Sequence, residues 1–304
     1  MDKQRTFCLF LSYVGTFFRG SQYQLPPLKT VQHTIQNALE SVLQVERKVP
    51  VRLASRTDAG VHAVVNVASF SLFMKTRVTR SLVTSLHQQL NQYLLQSSEC
   101  LRVTDIKLVS EDAKAFDCRR SVTEKCYVYR LGVVPSHVGM LEYINKMDAF
   151  EAGMIGLTKE PKHGLDVDKL KLAAEIFSGV NDYTLFRVEP KDLHQKYLQR
   201  VVRQCSVSVE PGSAAPFTSY ANQQTPDIRL WNIIFSGQGF MHKQIRFMVG
   251  AMLAVAKGEL AVERLEELLS HPELGRVESE IPLATSGGLC LTKMVYPPQC
   301  FESL

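Results

Sequence analysis

The run Ala54-Ser55-Arg56-Thr57-Asp58-Ala59-Gly60-Val61-His62-Ala63 puts one carboxylate on a polar turn, with an arginine two residues before it and a glycine two after. Val49, Val51 and Leu53 alternate before the turn, and Val65, Val67 and 68–70 continue after it, so the turn joins two strands. An arginine within reach would hold Asp58 ionised, the state that a covalent or ion-paired role requires. The same residues also describe an Asp-x-Gly hairpin turn with solvated side chains. A hydrolase built on paired carboxylates would need a second acid, and none lies within 11 residues of Asp58 on either side. His62 and His242 have no partner in the sequence that would make them metal ligands or general bases, and read as packing or nucleic-acid contacts.

Other residues with chemical reach are more dispersed. Lys125-Cys126-Tyr127-Val128-Tyr129 carries two phenols on one face of a strand, either of them able to stack on a base or move a proton. Lys243 and Arg246 open an apolar helical stretch. Arg119, Arg120, Arg200, Arg203 and Lys243 could meet phosphates or form a solvated face. There is no H-E-x-x-H, G-x-x-x-x-G-K-[ST], G-x-G-x-x-G or G-x-S-x-G sequence, so the usual metal, nucleotide and serine-hydrolase sites have no support. The seven cysteines are scattered without a C-x-x-C pair, which fits a reducing compartment.

These residues must be placed by a chain of 304 residues, 45% hydrophobic and 21% charged, enough for one large domain or two smaller ones. The longest nearly apolar run, 247–256, is far shorter than the ~20 residues that cross a bilayer, which excludes a helical membrane protein. Lys and Arg outnumber Asp and Glu by 13 to 8 in residues 1–112 and balance at 22 each thereafter. A basic first third suits a polyanion.

Periodicity predicts a strand over 6–14, a helix from Val31 to Val42 with Thr30 as its N-cap, and strands around 49–53 and 65–70. A second helix follows from Val78 to Leu94, then a strand over 101–108. The order β-α-β-β-α-β is that of a ferredoxin-like (RRM-like) α+β half, whose sheet leaves one face uncovered. A similar series follows: strand 125–134, helix 167–177, strands 201–209 and 230–235, helix 245–255, a short acidic helix 262–269 and strand 289–295. The expected organisation is two such halves, 1–112 and 113–304, side by side with a seam at 110–114 and a central cleft between them. Residues 136–164 and 211–227 read as insertions or long loops.

The 54–63 run strongly resembles the [AG]-R-T-D-[AK]-G-V-H-A signature of the TruA family of tRNA pseudouridine synthases. Tyr13-Val14-Gly15-Thr16, Gly20, Gln22 and Thr30-Val31-Gln32 resemble that family's Y-x-G-T, G-x-Q and T-V-Q; Phe116-Asp117-Cys118-Arg119 is similar to F-x-A-R, and 125–129 to [KR]-x-Y-x-Y. Gly179-Val180-Asn181-Asp182-Tyr183 with Phe186 resembles G-x-H-D-F-x-x-F, 240–250 resembles F-L-x-x-Q-V-R-x-M-V-G, and Gly288-Leu289 and Val295-Tyr296 close the series in family order. The wording is most similar to an animal branch of the family. Three departures stand out: Ser55 for glycine, Asn181 and Tyr183 for His and Phe, and Ala284-Thr285 where the family usually has Ala-Pro.

The resemblance implies an isomerase that converts uridine to pseudouridine without metal or other cofactor, on tRNA at about positions 38–40 of the anticodon stem-loop. It implies Asp58 as the catalytic carboxylate, Arg246 as its cationic partner, Arg56 as the residue that displaces and replaces the target base, and Tyr127 as the active-site tyrosine. Lys243 and Arg119 are expected to contact RNA. A homodimer is expected by the same route, with no membrane association. Residues 1–15 hold no secretory signal and no Arg-rich presequence, while the animal branch is associated with mitochondria, so the expected compartment is mitochondrial or cytoplasmic. The competing readings are an RNA-binding or ribosome-associated protein of the same fold with little activity, and an isomerase acting on mRNA.

Overall fold

The computed structural model describes residues 3–46, 48–140, 153–188, 201–212, 228–271 and 281–303. The chain forms two compact units, residues 1–125 with 291–304 and residues 126–290. Both mix strands and helices, so the class is α+β.

The first unit is built on β1 (Lys3–Tyr13), α1 (Val31–Leu43), β2 (Arg52–Leu53), β3 (His62–Met74), α2 (Arg80–Gln96) and β4 (Leu101–Leu108). β1 lies between β4 and β3, antiparallel to both, and β2 pairs with β3 through Arg52–Ser69 and Leu53–Ala68. Phe7, Leu9, Leu11 and Tyr13 alternate along β1 and are buried, with Phe7 stacked on Phe70 at 5.4 Å. Thr30 caps α1 by accepting the His33 N–H at 3.3 Å, and Thr79 caps α2 through Leu82 N–H at 3.4 Å. Ile35 and Leu39 of α1 and Leu90 and Leu94 of α2 are fully buried.

Two expectations are revised. The strand over 49–53 shrinks to Arg52–Leu53, because the Val49 N–H donates to the Glu40 carboxylate at 2.9 Å instead of to a neighbouring strand. The stretch 110–114 lies inside the first unit, and the division falls at 125/126. Ser110 N–H donates to Cys300 O at 2.9 Å, Val109 bridges Phe301, and Arg5 pairs with Glu111 and Glu302, so the C-terminal segment is tied back onto the first strand. The final strand, β10 (Leu289–Val295), accordingly neighbours β3.

The second unit takes most of β5 (Glu124–Val134) and adds β6 (Gly156–Lys159), α3 (Val167–Phe177), β7 (Gly179–Asp182), β8 (Val202–Pro211), β9 (Arg229–Gly237), α4 (Gln244–Lys257) and α5 (Val262–Ser270). β5 runs parallel to β6 and neighbours β9, and β9, β8 and β7 continue as an antiparallel set. Asp166 caps α3 by accepting the Lys169 N–H at 3.0 Å. Almost every residue of α4 is buried, as its apolar run from Phe247 predicts, and Gly258 ends it at φ 74°. Within the expected loop 136–164 the structure places strand β6, which pairs with β5, while 141–152 lie outside the described residues. Most of the expected loop 211–227, and Arg200, also lie outside the described residues. No described helix is long and apolar enough to cross a membrane.

Candidate active site

The turn that carries Asp58 is fixed from several directions in the first unit. Asn66, fully buried on β3, accepts the Ser55 N–H at 3.2 Å and donates to the Ser55 carbonyl at 3.0 Å and to the Tyr13 hydroxyl at 3.1 Å. Tyr13 in turn shares a 2.9 Å hydrogen bond with the Thr57 hydroxyl. The Thr57 N–H donates to the Ser21 hydroxyl at 2.8 Å, and the Ser21 N–H returns a bond to the Thr57 carbonyl at 3.0 Å. Lys125, only 8% exposed, donates from Nζ to the Ala54 carbonyl at 2.9 Å. Inside the turn, the Val61 N–H donates to the Asp58 carbonyl at 3.1 Å, and Gly60 takes φ 82°, a left-handed conformation that suits glycine. Gly15 is required for a different reason: a Cβ there would sit 2.1 Å from the Val61 carbonyl oxygen.

These bonds sort the side chains. Ser55 and Thr57 point inward and are buried, while Arg56 is exposed and Asp58 half-buried. A short carboxylate and a long guanidinium are thus displayed two residues apart from a backbone that cannot easily move, the preorganisation a reacting group needs. His62 is buried, and its Nδ1 accepts the Gly15 N–H at 3.1 Å. It therefore packs under the turn.

Arg119 occupies a separate exposed turn of the same unit. Its N–H and that of Arg120 donate to Asp117 Oδ1 at 2.8 and 3.3 Å. Burial pushes the Asp117 carboxyl up, but these backbone donors and the Arg52 guanidinium overcome it and hold Asp117 below the usual carboxylate range. Cys118 Sγ reaches the Arg52 carbonyl at 3.3 Å, which seats this turn beside β2, the strand that leads into Asp58.

In the second unit, Tyr127 is buried on β5 with its ring edge-on to Phe240 at 5.5 Å. Tyr129 is a different kind of residue. It is 2% exposed, its hydroxyl shares a 3.0 Å bond with Thr285, and a Cβ at Gly156 would fall 2.0 Å from its oxygen. Burial pushes its pKa up, and the Thr285 bond and the Arg246 charge offset only part of that. A phenol so enclosed anchors structure.

Lys243 stands at the N-cap of α4 with φ 61°, an uncommon conformation for a residue with a side chain, and is half-buried. Arg246, one turn into α4 and half-buried, donates from Nε to the Ala284 carbonyl at 2.7 Å. His242 is exposed, and Arg203 is exposed beside the Met241 sulfur at 3.7 Å. Sequence reasoning singled out Asp58, Arg56, Tyr127 and Arg246; it quoted Tyr13 and Lys125 only as motif residues and did not name Ser21 or Asn66, and these last four hold the Asp58 turn. The available signal was a polar Asn66 and a basic Lys125 inside otherwise apolar strands. Among the described residues, no cluster of three His, Cys, Asp or Glu side chains could hold a metal ion.

Comparison with known proteins gives the family. A family profile described as tRNA pseudouridine synthase matches residues 173–297. tRNA pseudouridine synthase A of Methylacidiphilum infernorum is 30% identical over 290 residues, covering 95% of this chain and 95% of that protein. tRNA pseudouridine synthase-like 1 of Homo sapiens is 28% identical over 95% of this chain and 89% of that protein, and the Mus musculus protein of the same name is 28% identical over 95% and 93%. At 30% identity over 95% of both proteins, the chain belongs to the TruA-type family of tRNA pseudouridine synthases, isomerases that act on uridine in RNA.

Proposed function

We propose that this chain converts uridine to pseudouridine in the tRNA anticodon stem-loop, at about positions 38–40, with Asp58 as the catalytic carboxylate. The observation that carries this reading is the backbone-pinned turn that presents Asp58 and Arg56 outward while Ser55 and Thr57 hold it from within. The reaction breaks the bond between uracil nitrogen 1 and the sugar, rotates the base, joins carbon 5 to the sugar and releases the carbon 5 proton, while nitrogen 1 takes a proton up. Nothing is oxidised or reduced. An ionised Asp58 initiates the exchange by engaging the nucleoside, Arg246 supplies positive charge to the reacting centre, and the Tyr127 phenol stacks on the base and serves the proton transfer at carbon 5. The target base must leave its stack, and the exposed Arg56 guanidinium is long and planar enough to take its place. Lys243 and Arg119 contact RNA phosphates.

Each unit is read as a ferredoxin-like half. Support in the first unit is its sheet order β4-β1-β3-β2, with α1 and α2 as the two connecting helices. A homodimer is proposed on the family likeness. The seven cysteines are all thiols, which supports a reducing compartment, cytoplasmic or mitochondrial.

The test is pseudouridine mapping of cellular RNA after deletion of the gene and its restoration as wild type or Asp58→Ala. Sites in tRNA anticodon stem-loops should vanish on deletion and return only with wild type. Sites confined to mRNA would move the substrate, and no change at any site would favour an RNA-binding role without turnover.

A further inference from the structure

Residues 281–288 of the second unit lie across α4 and β5 as a strap, fixed by contacts at Pro282, Ala284, Thr285 and Gly288. The Ala284 N–H donates to the Arg246 carbonyl at 3.2 Å, and the Ala284 carbonyl accepts Arg246 Nε at 2.7 Å. One turn further along α4, a Cβ at Gly250 would fall 1.9 Å from the Pro282 carbonyl oxygen, so strap and helix meet backbone to backbone. Thr285 shares a 3.0 Å hydrogen bond with the enclosed Tyr129 hydroxyl. Gly288 accepts the Arg130 N–H at 2.7 Å and lies against the Tyr129 ring, where a Cβ would come within 2.7 Å.

From this geometry we infer that residues 281–288 position Arg246, and that the Thr285 hydroxyl locks the strap onto Tyr129. An arginine side chain has several freely rotating bonds, but a hydrogen bond at Nε fixes the plane of the guanidinium and with it the directions of its remaining N–H donors. The acceptor of that bond is a strap carbonyl, so whatever holds the strap holds the guanidinium. Thr285 is itself exposed, and without its bond to Tyr129 this part of the strap would face water alone. The family pattern usually has proline here, which carries no hydroxyl; the lock is a feature of this chain. Thr285 is a positioning residue that acts through Ala284 and Arg246, and its role rests on the proposed part of Arg246 in the reaction.

The test separates turnover from binding in the purified full chain acting on a tRNA substrate, with thermal unfolding recorded for each variant. Thr285→Val should lower kcat about three- to tenfold, the size of one lost neutral hydrogen bond, with KM for tRNA within about twofold of wild type. Thr285→Ser should restore kcat. Tyr129→Phe should lower kcat to a similar extent, and the double variant should lose no more than the larger single loss. Adding Thr285→Val to Arg246→Met should cost nothing further. Wild-type kcat in Thr285→Val, equal losses in the Val and Ser variants, or a loss confined to KM would overturn the strap while leaving the role of Arg246 intact. Undiminished kcat in Arg246→Met would instead overturn that role and, with it, the need for a strap.

Discussion

The Lys125 ammonium donates to the Ala54 carbonyl at 2.9 Å across 71 positions of sequence, inside a part of the first unit where Lys125 keeps only 8% of its surface exposed. Ala54 stands four residues before Asp58, so a buried cation grips the backbone at the entrance to the turn that carries Asp58. Lys125→Met keeps most of the side-chain volume but removes the donor. It should destabilise the fold by about 1–3 kcal/mol and lower turnover at least tenfold, read by urea unfolding and by initial rates. Full turnover in this variant would show that the grip on Ala54 does not serve Asp58.

Asn66 satisfies both backbone groups of Ser55 and the Tyr13 hydroxyl from a fully buried site. Asn66→Ala removes the acceptor of the Ser55 N–H and the shorter of two bonds to its carbonyl, which also accepts the Ser21 hydroxyl at 3.5 Å, and should cost about 2–4 kcal/mol in chemical denaturation. Tyr13→Phe removes one hydroxyl from the same network and should cost only about 1 kcal/mol. Equal costs would mean that Ser55 finds other partners.

The two strand tyrosines should part in kinetics. Tyr127→Phe removes the hydroxyl assigned to the proton transfer at carbon 5, and should lower kcat by about a hundredfold or more with RNA affinity unchanged. Tyr129→Phe removes an anchoring bond to Thr285 and should cost no more than about tenfold. Equal loss of turnover and affinity in Tyr127→Phe would make Tyr127 structural as well.

Gly250→Ala sets helix propensity against strap contact. In the interior of α4, alanine is the better helix former by about 1 kcal/mol, so propensity alone predicts a more stable protein. The added Cβ would meet the Pro282 carbonyl at 1.9 Å, however, and must push the strap away from Arg246. The expected outcome is a marked fall in kcat without matching loss of tRNA binding. Unchanged kcat would show that the strap can shift without disturbing the guanidinium.

Much of this architecture is legible in the sequence where local signals agree. Helix α3 and strands β4 and β10 fall where periodicity puts them, and Thr30 caps α1 as its position before the apolar repeat predicts. Legibility fails where a distant partner decides. The segment around Val49 alternates like a strand, yet its N–H is taken by the Glu40 side chain. The stretch 110–114 reads as a seam, yet the last residues of the chain return to bond it into the first unit. The candidate site divides the same way. Asp58 and Arg56 declare themselves in one contiguous run, whereas Lys125, Asn66 and Tyr13 gain their meaning only when the fold brings 13, 54–57, 66 and 125 together.

The central claim is that Asp58 carries the chemistry. Its most direct test is tritium release from carbon 5 of labelled uridine in tRNA under single-turnover conditions, comparing wild type with Asp58→Asn and Asp58→Ala, alongside tRNA binding by each protein. The account predicts no detectable release from either variant and binding within a few-fold of wild type. Release at the wild-type rate from Asp58→Asn or Asp58→Ala would contradict it.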